Sequence, residues 1–572
     1  MSEPKHLLIL PEVESVEDVD IQYPLLQPHA YANIRWSDVD DELIYRVVEP
    51  NLSKEEREVY EEITGALIEL VDVKLSTVKT DEEAMEYLQD KIKKILDELD
   101  IELSKSAFSK VMYYIYRNFV GLNKIEPLLH DPYIEDIGCD GTSTPLYIIH
   151  KKFGSIRTNI VYEEEDRLKE FIVKLAERCG RYVSYAEPLL DGSLPDGSRV
   201  QATYSEDVST KGPNFSIRKF TEEPFSPTEM IDLGTASPEM LAYLWLCIEN
   251  GVSVLICGGV ASGKTSFLNA VSLFIPEQDK IVSIEDTREL NLPHENWIPS
   301  QIRTGFGMSS GDEKNYGEVD MYDLLRASFR QNPDYVIVGE VRGEEAYVMF
   351  QGMSSGHPAI STMHAGGVDT VIKRLESPPI ELPPSLVETL DLVVNMIHAK
   401  GISESARRVK EVVEVFSVDR STGDADTNGV FSWDPGKDGF DFKDRSDFVL
   451  TKIADNKGMD VEDIRREIET RKRLIEWMYK NSVMDWKDVS RIISEYLRDP
   501  QKALDKRDID RKVYVSPPSP LKSDSFVVEE SVEPGEPKEE TVKKLEKEGK
   551  DQSENEEEYE FSDSGKTVDM DD

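Results

Sequence analysis

SVLICGGVASGKTSFLNAVSLFI, residues 253–275, joins an apolar run (Val254, Leu255, Ile256) to a glycine loop and then to a helix-like pattern. Inside it Gly258, Gly263, Lys264 and Thr265 satisfy G-x-x-x-x-G-K-[ST], with Ser266 directly after. Strand, glycine loop and helix in that order form a phosphate cradle. The glycines let the backbone turn tightly, so that its N–H groups and the helix N-terminus face phosphate oxygens. Lys264 is expected to reach the β- and γ-phosphates, and the Thr265 hydroxyl to hold Mg²⁺. The segment therefore predicts an α/β domain that binds a nucleotide.

Around this segment the chain is long and acidic. Its 572 residues exceed what one core can serve, and at ~100–200 residues per domain three or four units are expected. Asp and Glu number 113 against 67 Lys and Arg, a formal net charge of -46. Such a surface repels a nucleic-acid backbone, so direct nucleic-acid binding is not expected. The four cysteines, Cys139, Cys179, Cys247 and Cys257, are scattered without a C-x-x-C pair, which indicates neither a disulfide framework nor a zinc site. With no apolar run of membrane-spanning length and an acidic opening, the expectation is a cytosolic chain that meets a membrane only through a partner.

Going along the chain, residues 1–50 read as a proline-punctuated but ordered arm, anchored by Tyr23, Pro24, Pro28, Tyr31 and Trp36, that packs on something larger. Residues 53–122 carry three stretches of helical periodicity, the first opened by a Ser53/Glu56 capping box; with the arm they make a module over 1–122. Short β-rich runs with Asp191-Gly192 and Asp196-Gly197 turns then suggest a smaller α/β domain over 123–220. TEEPFSPTEMIDLGTASPE, about residues 221–237, reads as a hinge-like linker. From 238 to about 510 apolar strands alternate with helical segments, the rhythm of a parallel sheet, and Trp477 and Trp486 are expected in the core of its last helices. Residues 511–572 are Pro-, Ser- and Glu-rich and read as a disordered acidic tail.

Hydrolysis requires more than a cradle: groups that hold Mg²⁺ and polarise water belong at the tips of neighbouring strands. Asp334–Glu340, DYVIVGE, is an apolar strand ending in a carboxylate, as a second magnesium-binding (Walker B) element would. Ile281–Glu289, IVSIEDTRE, delivers adjacent carboxylates into a loop, one of which can accept a proton from attacking water. GHPAISTMHA, residues 356–365, is a strand bracketed by His357 and His364. Seven residues apart and without helical E-x-x-H spacing, they suit a γ-phosphate sensor or a subunit interface better than a metal site.

Glycine loop (GGVASGKT), acidic box (IEDTREL), Gly-Glu-x-Arg strand (PDYVIVGEVRGEEA) and His box (GHPAISTMHAGGVDTVIKRL) occur in the order and spacing of the type II/type IV secretion ATPases, which the chain resembles over about residues 20–500. The segments GLNKIEPLLHDPYIEDIGCDG and YPLLQPHAYANIRW resemble the archaeal branch, the archaellum and archaeal type IV pilus assembly ATPases. The four-cysteine zinc insertion of bacterial pilus-extension members is absent, so no zinc is expected. The resemblance implies a RecA-like P-loop domain preceded by a smaller, PAS-like α/β domain and an N-terminal helical module. It implies a homo-hexameric ATP hydrolase using ATP and Mg²⁺, at the inner face of the cell membrane, working on a polytopic membrane platform protein and, through it, on filament subunits. It assigns Glu285 as general base, Glu340 as the Walker B ligand of Mg²⁺ together with Thr265, and His364 as a neighbour of the γ-phosphate. Arg199 in LPDGSRV and Arg218 in FSIRKF fall where the family aims arginines at that phosphate, whose spreading charge suits planar guanidinium donors. A conjugation-type DNA or protein translocation motor and a non-hydrolysing ATP-binding scaffold are the alternatives. A GTPase is disfavoured because Asn456-Lys457-Gly458-Met459 lacks the final Asp of N-K-x-D.

Overall fold

The computed structural model describes residues 15–70, 81–220, 223–303, 317–402, 406–418, 425–443 and 448–509. The tail expected over 511–572 lies outside the described residues. Among these residues no helix is long and apolar enough to cross a membrane.

Among the described residues two nine-stranded sheets organise the fold. The first contains β1 (Asp20–Leu26), β2 (Ala30–Ser37), β3 (Glu42–Val48), β4 (Ile134–Cys139), β5 (Pro145–His150), β6 (Gly154–Val161), β7 (Leu189–Ser193), β8 (Arg199–Thr203) and β9 (Asn214–Arg218), in the order β1-β2-β3-β6-β5-β4-β9-β8-β7. The opening arm is thus sheet: its meander joins the smaller α/β domain where β3 pairs parallel to β6. Pro24 is compatible with this sheet because β1 is an edge strand, where it costs little of the ladder. Tyr23 on β1 and Tyr45 on β3 both donate to Asp131 Oδ2, at 2.6 and 2.5 Å, tying the meander to the chain ahead of β4.

Between β3 and β4 stand the helices Lys54–Leu70, Asp81–Glu98 and Lys105–Phe119, which share a small apolar core around Ile63, Ile92 and Val111. The first is closed by a reciprocal cap, Glu56 N–H donating to Ser53 Oγ (3.2 Å) and Ser53 N–H to Glu56 Oε2 (2.8 Å). The stretch read as a linker is helical over Pro227–Asp232, with a second capping box from Ser226 and Glu229. Thr228 Oγ1 donates to Val483 O (2.7 Å), which fixes the segment on the C-terminal helices. The S-P-T-E signal inside a Pro- and Glu-rich stretch is a helix start rather than a spacer.

The second sheet holds β10 (Val254–Gly258), β11 (Ile281–Glu285), β12 (Trp297–Gln301), β13 (Tyr335–Val338), β14 (Ala359–Met363), β15 (Leu392–His398), β16 (Arg407–Val418), β17 (Ala425–Asp434) and β18 (Gly439–Phe442). Its order is β12-β11-β13-β14-β10-β15-β16-β17-β18; the first six strands are parallel and the last three are added antiparallel. Every residue of β10, β11, β13 and β14 is buried, as continuous apolar runs in a sheet covered on both faces require. One strand, β14, separates the glycine-loop strand from the Gly-Glu strand, the RecA-like arrangement. The closing helices Val461–Lys480 and Trp486–Arg498 pack on helix Pro238–Glu249, where Arg471 is buried between the Trp245 and Tyr496 rings and pairs with Glu249 (2.7 Å) and Glu467. Trp486 is buried in this core, whereas Trp477 only borders it.

Candidate nucleotide site

A parallel sheet presents the carboxyl ends of its strands along one rim, and adjacent strands bring distant motifs together there. Along this rim stand the glycine loop after β10, His364 after β14, Gly339-Glu340 after β13 and the acidic box after β11. The spatial order, loop, histidine, glutamate, acidic box, differs from the chain order, and only the sheet topology produces it.

The loop is shaped by close backbone approach. A Cβ on Gly258 would lie 2.4 Å from Met396 O and 2.5 Å from Ser262 Oγ, so no side chain fits there. Gly263, at the N-terminus of helix Lys264–Ser272, has φ 86°, a left-handed conformation that glycine adopts without strain. Lys264 Nζ donates to Gly259 O (2.9 Å) inside the loop and to His364 Nδ1 (3.2 Å). Nδ1 is then the unprotonated ring nitrogen and Nε2 carries the hydrogen, facing Glu340 Oε1 at 3.2 Å. Partial burial and the Lys264 charge hold His364 below the usual histidine range. Burial likewise lowers Lys264, against the pull of Glu340. Thr265 is half-buried and Ser266 exposed on the first turn of the helix.

Burial raises the Glu340 carboxyl, but the hydrogen bond and charge of Arg342, with His364 and Lys264, outweigh it and keep the group below the ordinary carboxylate range. Arg342 Nη2 donates to Glu340 Oε2 (2.6 Å), while Glu340 Oε1 is buried and lies 3.2 Å from His364 Nε2 without hydrogen-bond geometry. An ionised carboxylate with one oxygen that makes no hydrogen bond, in the field of Lys264, fits a hard cation with oxygen ligands such as Mg²⁺. Next to it opens a cavity of about 360 Å³ lined by Asp286, Asp320, Tyr322, Glu340, Arg342 and Glu345, among others.

Glu285 is placed differently. It is 2% exposed; its Oε2 accepts from the backbone N–H groups of Glu289 (2.7 Å) and Leu290 (2.9 Å), while the Ser283 hydroxyl stands 3.5 Å from Oε1. Burial pushes its carboxyl up to about 7 despite those two donors. Its basicity suits a proton acceptor at neutral pH, but it lies beneath the acidic box rather than in the cavity. Asp286 and Glu289 form the exposed side of that box and face the arginines. Arg199 and Arg218 are directly opposite each other on β8 and β9. Arg199 Nη1 lies 3.7 Å from Asp286 Oδ2, and Arg218 Nη1 3.9 Å from Glu289 Oε1. Arg288 completes the contact between the domains by lying over the Phe220 and Trp297 rings.

Two expectations change. His357 and His364 sit at opposite ends of β14; His357 packs edge-on to Phe329 and does not join the site. Arg342, given no role above, is a central member of it. The Gly-Glu-x-Arg spacing was the available signal, since residues 340 and 342 of an extended segment point the same way.

A family model described as type II/IV secretion system protein matches residues 120–425, the span that holds every group above. The chain belongs to that family. An uncharacterized protein of Methanocaldococcus jannaschii is 39% identical over 470 residues, 78% of this chain and 84% of its own length. The type IV secretion system protein PtlH of Bordetella pertussis is 30% identical over 278 residues, 43% of this chain and 80% of its own. Among solved structures, the VirB11 ATPase of the Brucella suis type IV secretion system is 22% identical with a TM-score of 0.25, covering 50% of this chain and 95% of that one. For this secretion-family chain, the resemblance drawn from four short motifs extends to a match over a long continuous span.

Proposed function

We propose that this chain is a hexameric ATPase motor, peripheral to the inner face of the cell membrane, that powers assembly of a type IV pilus-like filament, an archaellum or pilus, or secretion through a polytopic membrane platform. The observation that carries the enzymatic part is the linked row Lys264, His364, Glu340 and Arg342 on one sheet rim, faced across the domain contact by Arg199 and Arg218. Four groups from three separate motifs in one hydrogen-bonded or ion-paired row serve no purpose in core packing and suit a triphosphate.

In this reading the glycine loop and Lys264 bind the β- and γ-phosphates, and Thr265 and Glu340 would hold Mg²⁺, which supplies neutralisation of phosphate charge when bound. Neutral His364, whose Nε2–H faces Glu340 Oε1 in the described arrangement, would turn that hydrogen to the terminal phosphate. Glu285 accepts the proton of the attacking water through Oε1, while the two backbone donors fix Oε2. Arg199 and Arg218 exchange the acidic box for the phosphate as it gains charge, and that exchange moves the smaller domain against the ATPase domain. The filament or secretion role is supported by family membership. The archaeal assignment is supported by the similarity to the Methanocaldococcus protein.

The experiment is steady-state hydrolysis and nucleotide binding of the purified chain beside Arg199→Ala and Arg218→Ala. Turnover is expected to fall far more than affinity, and equal losses in both would exclude this exchange of the two arginines onto the phosphate. A DNA-translocating motor is the second reading, and salt-dependent binding to duplex DNA would favour it.

A further inference from the structure

Asp286 stands between two guanidinium groups from different domains. Its Oδ2 lies 3.7 Å from Arg199 Nη1 and 3.9 Å from Arg342 Nη1. Arg199 has a second carboxylate, Asp191, at 3.2 Å, and Arg342 has Glu340 at 2.6 Å. Asp286 is thus the shared partner of a cation on the arginine domain and a cation that occupies the Walker B carboxylate.

The backbone beneath Arg342 is fixed while its side chain is not. Glu345 Oε1 accepts from Arg342 N–H (2.6 Å) and Gly343 N–H (2.8 Å), which holds the turn after β13. The Arg342 side chain is 62% exposed, and a guanidinium on a long stem can move from Glu340 to Asp286 without any change in that turn. Two carboxylates on either side of one swinging arginine make two positions. In the described arrangement Arg342 hydrogen-bonds Glu340, whereas its approach to Asp286 is a long, solvent-screened one.

We infer that Asp286 is a positioning residue that determines whether Arg342 blocks or frees Glu340. While Arg199 is parked on Asp286, the positive charge beside that carboxylate leaves Arg342 on Glu340 Oε2, where it competes with a bound cation. When Arg199 leaves for the nucleotide, Asp286 is uncompensated and draws Arg342 across, which frees Glu340. The arrival of the other domain's arginine and the readiness of the Walker B carboxylate become one event, which ties metal capture to domain closure. The inference rests on the nucleotide and Mg²⁺ reading proposed above.

The test is the Mg²⁺ concentration that gives half-maximal binding of a fluorescent, non-hydrolysed ATP analogue, measured on the full chain as wild type, Asp286→Asn, Arg342→Gln and the double variant. Thermal midpoints serve as the folding control. Asp286→Asn is expected to raise the half-maximal concentration about five- to tenfold, the size of one solvent-screened hydrogen bond that now persists. Arg342→Gln is expected to lower it, and the double variant to behave like Arg342→Gln, because without the arginine there is nothing for Asp286 to draw away. An Asp286→Asn protein indistinguishable from wild type, or a double variant that keeps the full Asp286→Asn defect, would overturn the inference alone. A wild-type chain that fails to bind the analogue would remove the nucleotide reading itself.

Discussion

Replacing Glu285 by Gln separates the support of the acidic box from chemistry. The buried carboxyl titrates at about 7 instead of the ordinary 4.5, so it binds a proton more tightly in the folded chain than in the unfolded one. Folding stability contributed by this group is therefore full below about pH 4.5 and is lost as pH rises through about 7. Between pH 5.5 and 7, a change of about 1.5 pH units at 1.36 kcal/mol each makes ~2 kcal/mol. Gln keeps a neutral acceptor for the Glu289 and Leu290 N–H groups and carries no ionisation cost. Glu285→Gln should thus unfold increasingly later than wild type as pH rises from 5.5 to 8. For an unfolding unit of ~250 residues the gain is about 4–8 °C. Scanning calorimetry of both proteins across that range reads the difference directly. A difference that stays flat with pH would mean that the carboxyl is ionised throughout and that burial does not govern it. The same variant, folded and at least as stable, should lose turnover by about 10²–10⁴-fold if Glu285 is the base.

Wild-type turnover should rise with pH through about 7, the base being required in its ionised form, and a profile level from pH 6 to 8 would point to another proton acceptor. Gly258→Ala should weaken nucleotide binding and lower the thermal midpoint together, because the added carbon meets a main-chain carbonyl at 2.4 Å that belongs to β15; an unchanged midpoint would mean that the strands part easily. Arg471→Ala should destabilise the part of the chain built on the second sheet by ~3–5 kcal/mol, since it leaves Glu249 and Glu467 buried without their cation; a calorimetric loss below about 1 kcal/mol would show that water reaches them.

Much of this architecture was legible because the informative segments are local. An apolar run, two glycines and a lysine define the cradle, and β10, the loop and helix Lys264–Ser272 follow directly. The acidic box and the Gly-Glu strand were readable for the same reason, as apolar strands ending in carboxylates. What residues alone could not give is which strand lies beside which. Nothing local places His364 between Lys264 and Glu340; the insertion of β14 between β10 and β13 does. Nor does spacing set Arg199 against Asp286, since that contact joins two sheets. The segment that reads as a linker hides a helix, because Pro227 occupies the first turn after the Ser226 cap, a position that proline favours. Burial of Glu285 was equally hidden, because EDTRE has the composition of an exposed turn, yet its first residue caps the others from below.

The most direct measurement is Mg²⁺-dependent ATP hydrolysis by the purified full chain, with Lys264→Ala measured beside it. The expected result is phosphate release that requires Mg²⁺ and falls to background in the variant, because Lys264 is the group that joins the glycine loop to His364 and Glu340. Hydrolysis that survives in Lys264→Ala, or none in the wild type, would contradict it.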